Sequence, residues 1–187
     1  MKYAIITLLA ILLLVSSKET HAQKNYNTSV GLRLGPSYGF SIKHFLTERV
    51  AFEGLVTSRY FGDDLRGLPG AKLPKGNNAY AHWNSTPGIN LTALFEWHFP
   101  IGKVKGFNWF IGGGAHIGVW GGYDGHPYLT NNDRPYILTG LDFVGGVEYT
   151  FEKIPLTLQL DIKPSFHFVE YLGIWYDEVG LTARYVF

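Results

Sequence analysis

Two kinds of residue in this 187-residue chain have types and spacing that suggest chemistry: histidines near serines, and a set of ionisable side chains recurring at alternate positions. Acyl transfer needs a hydroxyl within hydrogen-bond reach of a base. His82 near Ser85, and Ser165 two residues before His167, are pairs of the right types. Two residues apart on a strand means one shared face. The face of Ser165 and His167 also carries Thr157, Gln159, Asp161 and Lys163, so both read as packing residues, as do His98 and His116. Asp63, Asp64, Asp124 and Asp133, with His126, are ligand types for a hard cation, but their spacing fits no calcium loop and reads as solvated acids. Gly112-Gly113-Gly114 is followed by no lysine or helix pattern, so it reads as relief of crowding in a strand rather than a phosphate loop. No pattern calls for a cofactor, a metal ion or a catalytic residue.

The second set is larger. Arg33, Lys43, Arg59, Lys163 and Arg184 stand against Glu53, Glu96, Asp142, Glu148 and Asp161, five cations and five carboxylates. All ten fall on the polar side of segments that alternate with period two, the strand period. In 89–99, Ile89, Leu91, Ala93, Phe95, Trp97 and Phe99 face one way, and Asn90, Thr92, Leu94, Glu96 and His98 the other. The stretches 107–121, 156–168 and 179–187 alternate as clearly, and weaker copies occupy 30–34, 40–43, 50–59 and 137–151. That predicts eight strands. Tight turns fall at 46–49, 101–106 and 152–155, while 61–88 and 122–134 are long, and rich in Gly, Pro, Asn and Asp. Short turns at one end and longer loops at the other predict an eight-stranded antiparallel up-and-down transmembrane β-barrel. Residues 172–175 read as another loop-end connection, and Gly35-Pro36-Ser37 as a short one.

Residues 1–22 read as a secretory signal peptide. Lys2 supplies a positive start, Ala4 to Val15 is apolar at every position but Thr7, and Thr20-His21-Ala22 offers small residues for cleavage. A twelve-residue segment is too short for a spanning helix, which needs about 20. The expected mature domain is 23–187, with equal numbers of basic and acidic side chains once Lys2, Lys18 and Glu19 are removed. Neutrality gives no case for nucleic acid. The absence of cysteine excludes a disulfide framework or a lipoprotein anchor. Charged residues make up 17%, against the roughly 25% usual for soluble domains, while aromatics reach 16%.

Alternation alone leaves the orientation open, because a soluble barrel alternates too. An eight-stranded barrel is just wide enough to be filled by ordinary side chains. It has no room for Trp97, Trp109 and many Phe, and a wall of Gly, Thr, Asn and Ser would solubilise it poorly. The apolar face is therefore expected to meet lipid, and the ten ionisable residues to form a balanced ion-pair plug in the lumen. Trp97, Phe99, Phe107, Trp109, Tyr149, Phe151, Tyr185 and Phe187 are expected to ring the tight-turn end. Tyr60, Trp120, Tyr136, Tyr171, Trp175 and Tyr176 are expected at the loop end.

With these features the chain resembles the small outer-membrane β-barrel proteins of Gram-negative bacteria. The most specific piece is Leu181-Thr182-Ala183-Arg184-Tyr185-Val186-Phe187. Its alternating Leu181, Ala183, Tyr185 and terminal Phe187 resemble the assembly signal read by the barrel-insertion machinery. The stretches 31–35, 42–45 and 160–164 look like motifs recurring in compact members. The resemblance implies an outer-membrane location after export, lipid as the surrounding partner, and the assembly machinery as a partner during biogenesis. The expected role is non-enzymatic, structural or in surface contact through the extracellular loops. The alternatives are a narrow solute pore and a lipid A-modifying enzyme.

Overall fold

The computed structural model describes residues 27–60, 87–120, 136–169, 173–176 and 178–187. The signal-peptide reading of 1–22 lies outside them, as do His82, Ser85 and the five loop residues considered as cation ligands. The described chain forms strands β1 (Thr28–Leu34), β2 (Tyr38–Phe45), β3 (Val50–Tyr60), β4 (Pro87–Pro100), β5 (Phe107–Trp120) and β6 (Tyr136–Thr150). They are followed by β7 (Leu156–Ile162), β8 (Ser165–Val169), β9 (Gly173–Trp175) and β10 (Val179–Val186). Every pairing is antiparallel. Strands β1 to β6 pair in sequence, β6 pairs β7, β7 pairs β10, and β10 returns to β1, which closes the ring.

The ten strands make eight staves. β7 and β8 are halves of the seventh, separated at Lys163-Pro164, where proline has no N–H to give the ladder. Pro164 still contributes its carbonyl, which accepts from the Phe143 N–H at 3.0 Å. β9 and β10 are halves of the eighth. The Lys163 N–H donates to the Glu178 carbonyl at 2.8 Å, so the two interruptions lie side by side. Across the second one the inward set changes parity: Gly173 and Trp175 are buried before it, and Glu178, Gly180, Thr182 and Arg184 after it. One extra residue in a strand has this effect, because the side-chain period is two.

Closure follows from the residues on each side. The outer wall exposes Leu32, Phe40, Ile42, Leu91, Phe95, Trp97, Ile111, Phe143 and Leu160, each about half or more accessible. The buried residues are mostly polar or charged. The inside is not uniformly polar, however. Leu55, Leu94, Phe110 and Val144 form an apolar cluster inside β3 to β6, and Leu138 is fully buried, so the reading of the inner face as mostly Gly, Thr, Asn and Ser is corrected. The three tight turns lie where the sequence puts them. Gly106 closes one at φ +77°, where an added Cβ would sit 2.1 Å from the Thr150 carbonyl oxygen.

Phe143 is central in β6 and 62% exposed, which makes it a test of the wall. Phe143→Arg is expected to cost at least about 2–4 kcal/mol of folding stability in phosphatidylcholine vesicles, measured by urea titration. A change within experimental error would mean that this face meets water.

Candidate functional site

The lumen network is built by side chains at every second position of strands arriving from all round the ring. All ten predicted cluster residues lie inside it: Arg33, Lys43, Glu53, Arg59, Glu96, Asp142, Glu148, Asp161, Lys163 and Arg184 are each less than a tenth exposed. They divide into neighbouring groups rather than one plug.

The central group surrounds Lys43. Its ammonium donates to Glu96 at 2.6 Å, Glu148 at 3.1 Å and the Gln159 amide oxygen at 2.6 Å, with Glu53 at 3.4 Å. Arg184, on β10 just beyond the intervening β1, spreads its donors over the same acceptors. Its Nε donates to Ser41 at 2.7 Å, one terminal nitrogen to Gln159 at 2.9 Å, and the other to Glu53. Glu148 lies 3.5 Å from the first of those nitrogens. Ser41 in turn donates to Glu53 at 2.7 Å. Two cations thus hold three carboxylates, and His98 Nε2 adds a contact to Glu96 at 2.9 Å. Beside this group Arg33 donates to Asp161 at 2.7 Å, an oxygen that also accepts from Gln159 at 2.8 Å.

A second group centres on Asp142. It accepts from Lys163 at 3.0 Å and Ser165 at 2.5 Å, and its other oxygen lies 2.8 Å from His116 Nδ1. The other nitrogen of His116 is 2.9 Å from His167 Nδ1. His167 packs edge-on to Trp175, with centroids 4.2 Å apart, and the Arg59 guanidinium lies over that indole at 4.6 Å. Arg59 then reaches Glu178 at 2.5 Å, and Ser37 from the first hairpin donates to the same carboxylate. Ser165 and His167 therefore serve this network; Ser165 donates to Asp142, not to an imidazole.

Trp175 and Glu178 depart from the sequence reading. Trp175, expected in the loop-end ring, is buried in the lumen, because the extra residue between β9 and β10 reverses its face. Glu178 immediately precedes the clear alternation of 179–187 and falls outside the ten ionisable residues that the sequence pattern marks. Its parity with Arg184 was the available signal. With it, the described lumen holds five cations and six carboxylates rather than five of each. Tyr176 is exposed, as expected, and Tyr171 lies outside the described residues.

The opposite end of the lumen is filled by rings. His98 stacks on Phe110 at 5.0 Å and meets the edge of Phe45 at 4.9 Å, with Lys43 4.7 Å from the Phe110 centroid. Outside, Phe99 stacks on Trp109 at 4.5 Å, and Tyr149 meets Phe151 at 4.8 Å, in the tight-turn band. Glycines make room for the large inner side chains. A Cβ at Gly180 would stand 2.1 Å from the Arg33 guanidinium carbon, and one at Gly140 would stand 2.7 Å from His116.

The arrangement holds charge still. Each ionised group is paired and sealed from solvent, and among the described residues no group of three or more His, Cys, Asp or Glu side chains forms a metal site. No protein-family model and no curated protein sequence matches the chain. Among solved structures it is similar to the N-terminal β-barrel domain of Pseudomonas aeruginosa OprF, with a TM-score of 0.58 at 15% identity over 87% of this chain and 98% of that one. Neisserial surface protein A (NspA) gives 0.51 at 12% identity over 86% and 94%. At these identities the likeness is one of fold: the closed eight-stranded antiparallel barrel of small outer-membrane proteins.

Removing one partner of a buried pair leaves the other charge desolvated, so Arg184→Ala is expected to cost about 3–5 kcal/mol in vesicle-based urea unfolding. Glu152→Ala, which breaks only an exposed contact to Lys105 at 4.0 Å, should cost less than about 1 kcal/mol. Equal effects would mean that the lumen is hydrated enough to screen its charges.

Proposed function

We propose that the chain is an integral outer-membrane β-barrel with a non-enzymatic role, structural or in surface contact, carried by the segments around 61–86 and 121–135. The observation that carries this reading is the inverted polarity of the barrel. Large aliphatic and aromatic side chains cover the outer wall, and the paired charges lie within. Water would penalise that wall, whereas a bilayer stabilises it at about 25 cal/mol per Å² of apolar surface. A closed barrel also leaves no backbone edge to be satisfied in hydrocarbon.

The two ends of the chain support the same reading. Residues 1–22 carry the pattern of an exported precursor, cleaved near Ala22 to leave 23–187. In the final strand Leu181, Ala183, Tyr185 and Phe187 all face outward, the side on which an insertion machinery would meet them. Catalysis has little support, because the serine and histidines of the inner face are sealed and engaged in pairing. Conduction has as little. His98, Phe110 and Phe45 fill one end of the lumen, and Trp175, His167 and Arg59 stand at the other.

In planar bilayers the purified protein is expected to give no discrete conductance steps, and a stepwise current would favour the pore. Deleting 62–85 and 122–133 should abolish adherence of cells displaying the protein to protein-coated surfaces while leaving strand content unchanged. Undiminished adherence would remove the surface-contact role.

A further inference from the structure

We infer that the tight-turn rim is a second lipid-binding surface, seated in the phospholipid headgroup layer rather than standing free in water. This rests on the membrane reading above and goes beyond it. The apolar band of a transmembrane barrel is flanked by aromatic girdles at its two interfaces. Here the apolar surface continues past one of them. Each of the three tight turns exposes one large aliphatic side chain: Leu46 at 54%, Val104 at 56% and Ile154 at 48%. The chain terminus at the same end exposes Phe187 at 65%. Single exposed aliphatics are common on soluble surfaces. One at every connection of one end is not a scatter.

The turns are too tightly closed to tuck these residues in. The Leu46 N–H donates to the Val50 carbonyl at 2.8 Å, Ile101 to Phe107 at 2.9 Å, and Phe151 to Leu156 at 3.0 Å. The apices therefore stand directly beyond the band of Trp97, Phe99, Trp109, Tyr149 and Tyr185, continuous with the wall that meets lipid.

Charge on the rim fits the same partner. The turns expose Arg49, Lys103, Lys105 and Lys153 against Glu48 and Glu152, four basic side chains to two acidic ones, with the carboxylate of Phe187 a third negative group on the rim. Long basic side chains bury their stems in apolar surroundings and lift the charge to the polar layer. An aliphatic apex flanked by such residues matches a phosphodiester layer, with hydrocarbon below and phosphate beside it. Each lysine close to an anionic lipid surface contributes roughly fivefold in lipid preference.

The chain has no cysteine, so single spin labels can be placed without background. The full chain folded in phosphatidylcholine vesicles, labelled at Leu46→Cys, Val104→Cys or Ile154→Cys, would be compared for accessibility to oxygen and to a water-soluble nickel complex. All three labels should favour oxygen, at shallower depth than a label at Phe143→Cys. Nickel-accessible turn labels with a buried label at 143 would overturn the rim proposal and leave the membrane reading intact. A nickel-accessible label at 143 would overturn both. Quenching of the native tryptophans by brominated phosphatidylglycerol tests the charge. It should exceed quenching by brominated phosphatidylcholine, and the excess should fall several-fold in the K103A/K105A/K153A variant. Equal quenching by the two lipids in the native protein would remove the phosphate-binding part of the proposal.

Discussion

Hydrocarbon offers no hydrogen-bond partners, and the whole structure is arranged around that fact. A sheet with an edge would leave its N–H and C=O groups bare, so the strands must close on themselves. A charge on the wall would lose its hydration, so every charge carried by a described strand interior turns inward. Once inside, it is desolvated again, and only close pairing makes it tolerable. Lys43 with three carboxylates, and Arg184 spread over Ser41, Gln159, Glu53 and Glu148, are the outcome. Closure and ionic packing are one requirement met twice.

That requirement also explains the glycines. A narrow barrel that holds arginines, lysines and histidines has too little volume for a full side chain at each inner position. The inner face therefore pairs the largest side chains with the smallest. Gly180 lies under the Arg33 guanidinium and Gly140 beside His116. Between these ionic groups, Leu55, Leu94, Phe110 and Val144 fill the lumen beside β3 to β6. These apolar side chains alternate with Glu53, Glu96 and Asp142 on the same inner faces, and the low dielectric they create strengthens the neighbouring pairings.

Much of this was legible in the sequence because the period is two and the partition of residues between faces is sharp. The fold, the tight turns and the burial of the ten ionisable residues all follow from parity along single strands. What parity cannot see is its own interruption. Between Trp175 and Glu178 one additional residue reverses the faces, and no run of alternating residues is long enough there to reveal it. Trp175 therefore enters the lumen instead of the loop-end ring. Glu178 becomes the sixth inner carboxylate, bonded to Arg59 and Ser37. The inner apolar cluster was hidden for a different reason. Alternation places Leu94 on the inner face, but partners such as Leu55 and Val144 come from segments distant in sequence. Only the register of β3 to β6 brings them together.

Buried ion pairs are weak instruments of stability, and replacing such pairs with apolar residues is often neutral or favourable. Their presence here in such number calls for another advantage, and register supplies one. Neighbouring strands that slipped by one residue would turn their inner face to lipid. For a barrel with a polar but uncharged lumen, the error would expose hydroxyls and amides, whose transfer cost is modest. Here a slip of β2 alone would bring Lys43 to the wall, a slip of β10 would bring Arg184, and each would abandon a desolvated carboxylate in the lumen. The penalty falls on the misregistered barrel more heavily than the pairing benefits the correct one. The charges are best understood as setting the energy gap between one registration and its neighbours. This also accounts for their distribution: Lys43, Glu53, Glu96, Glu148, Asp161 and Arg184 stand on six different strands, so each shared hydrogen bond fixes two staves at once.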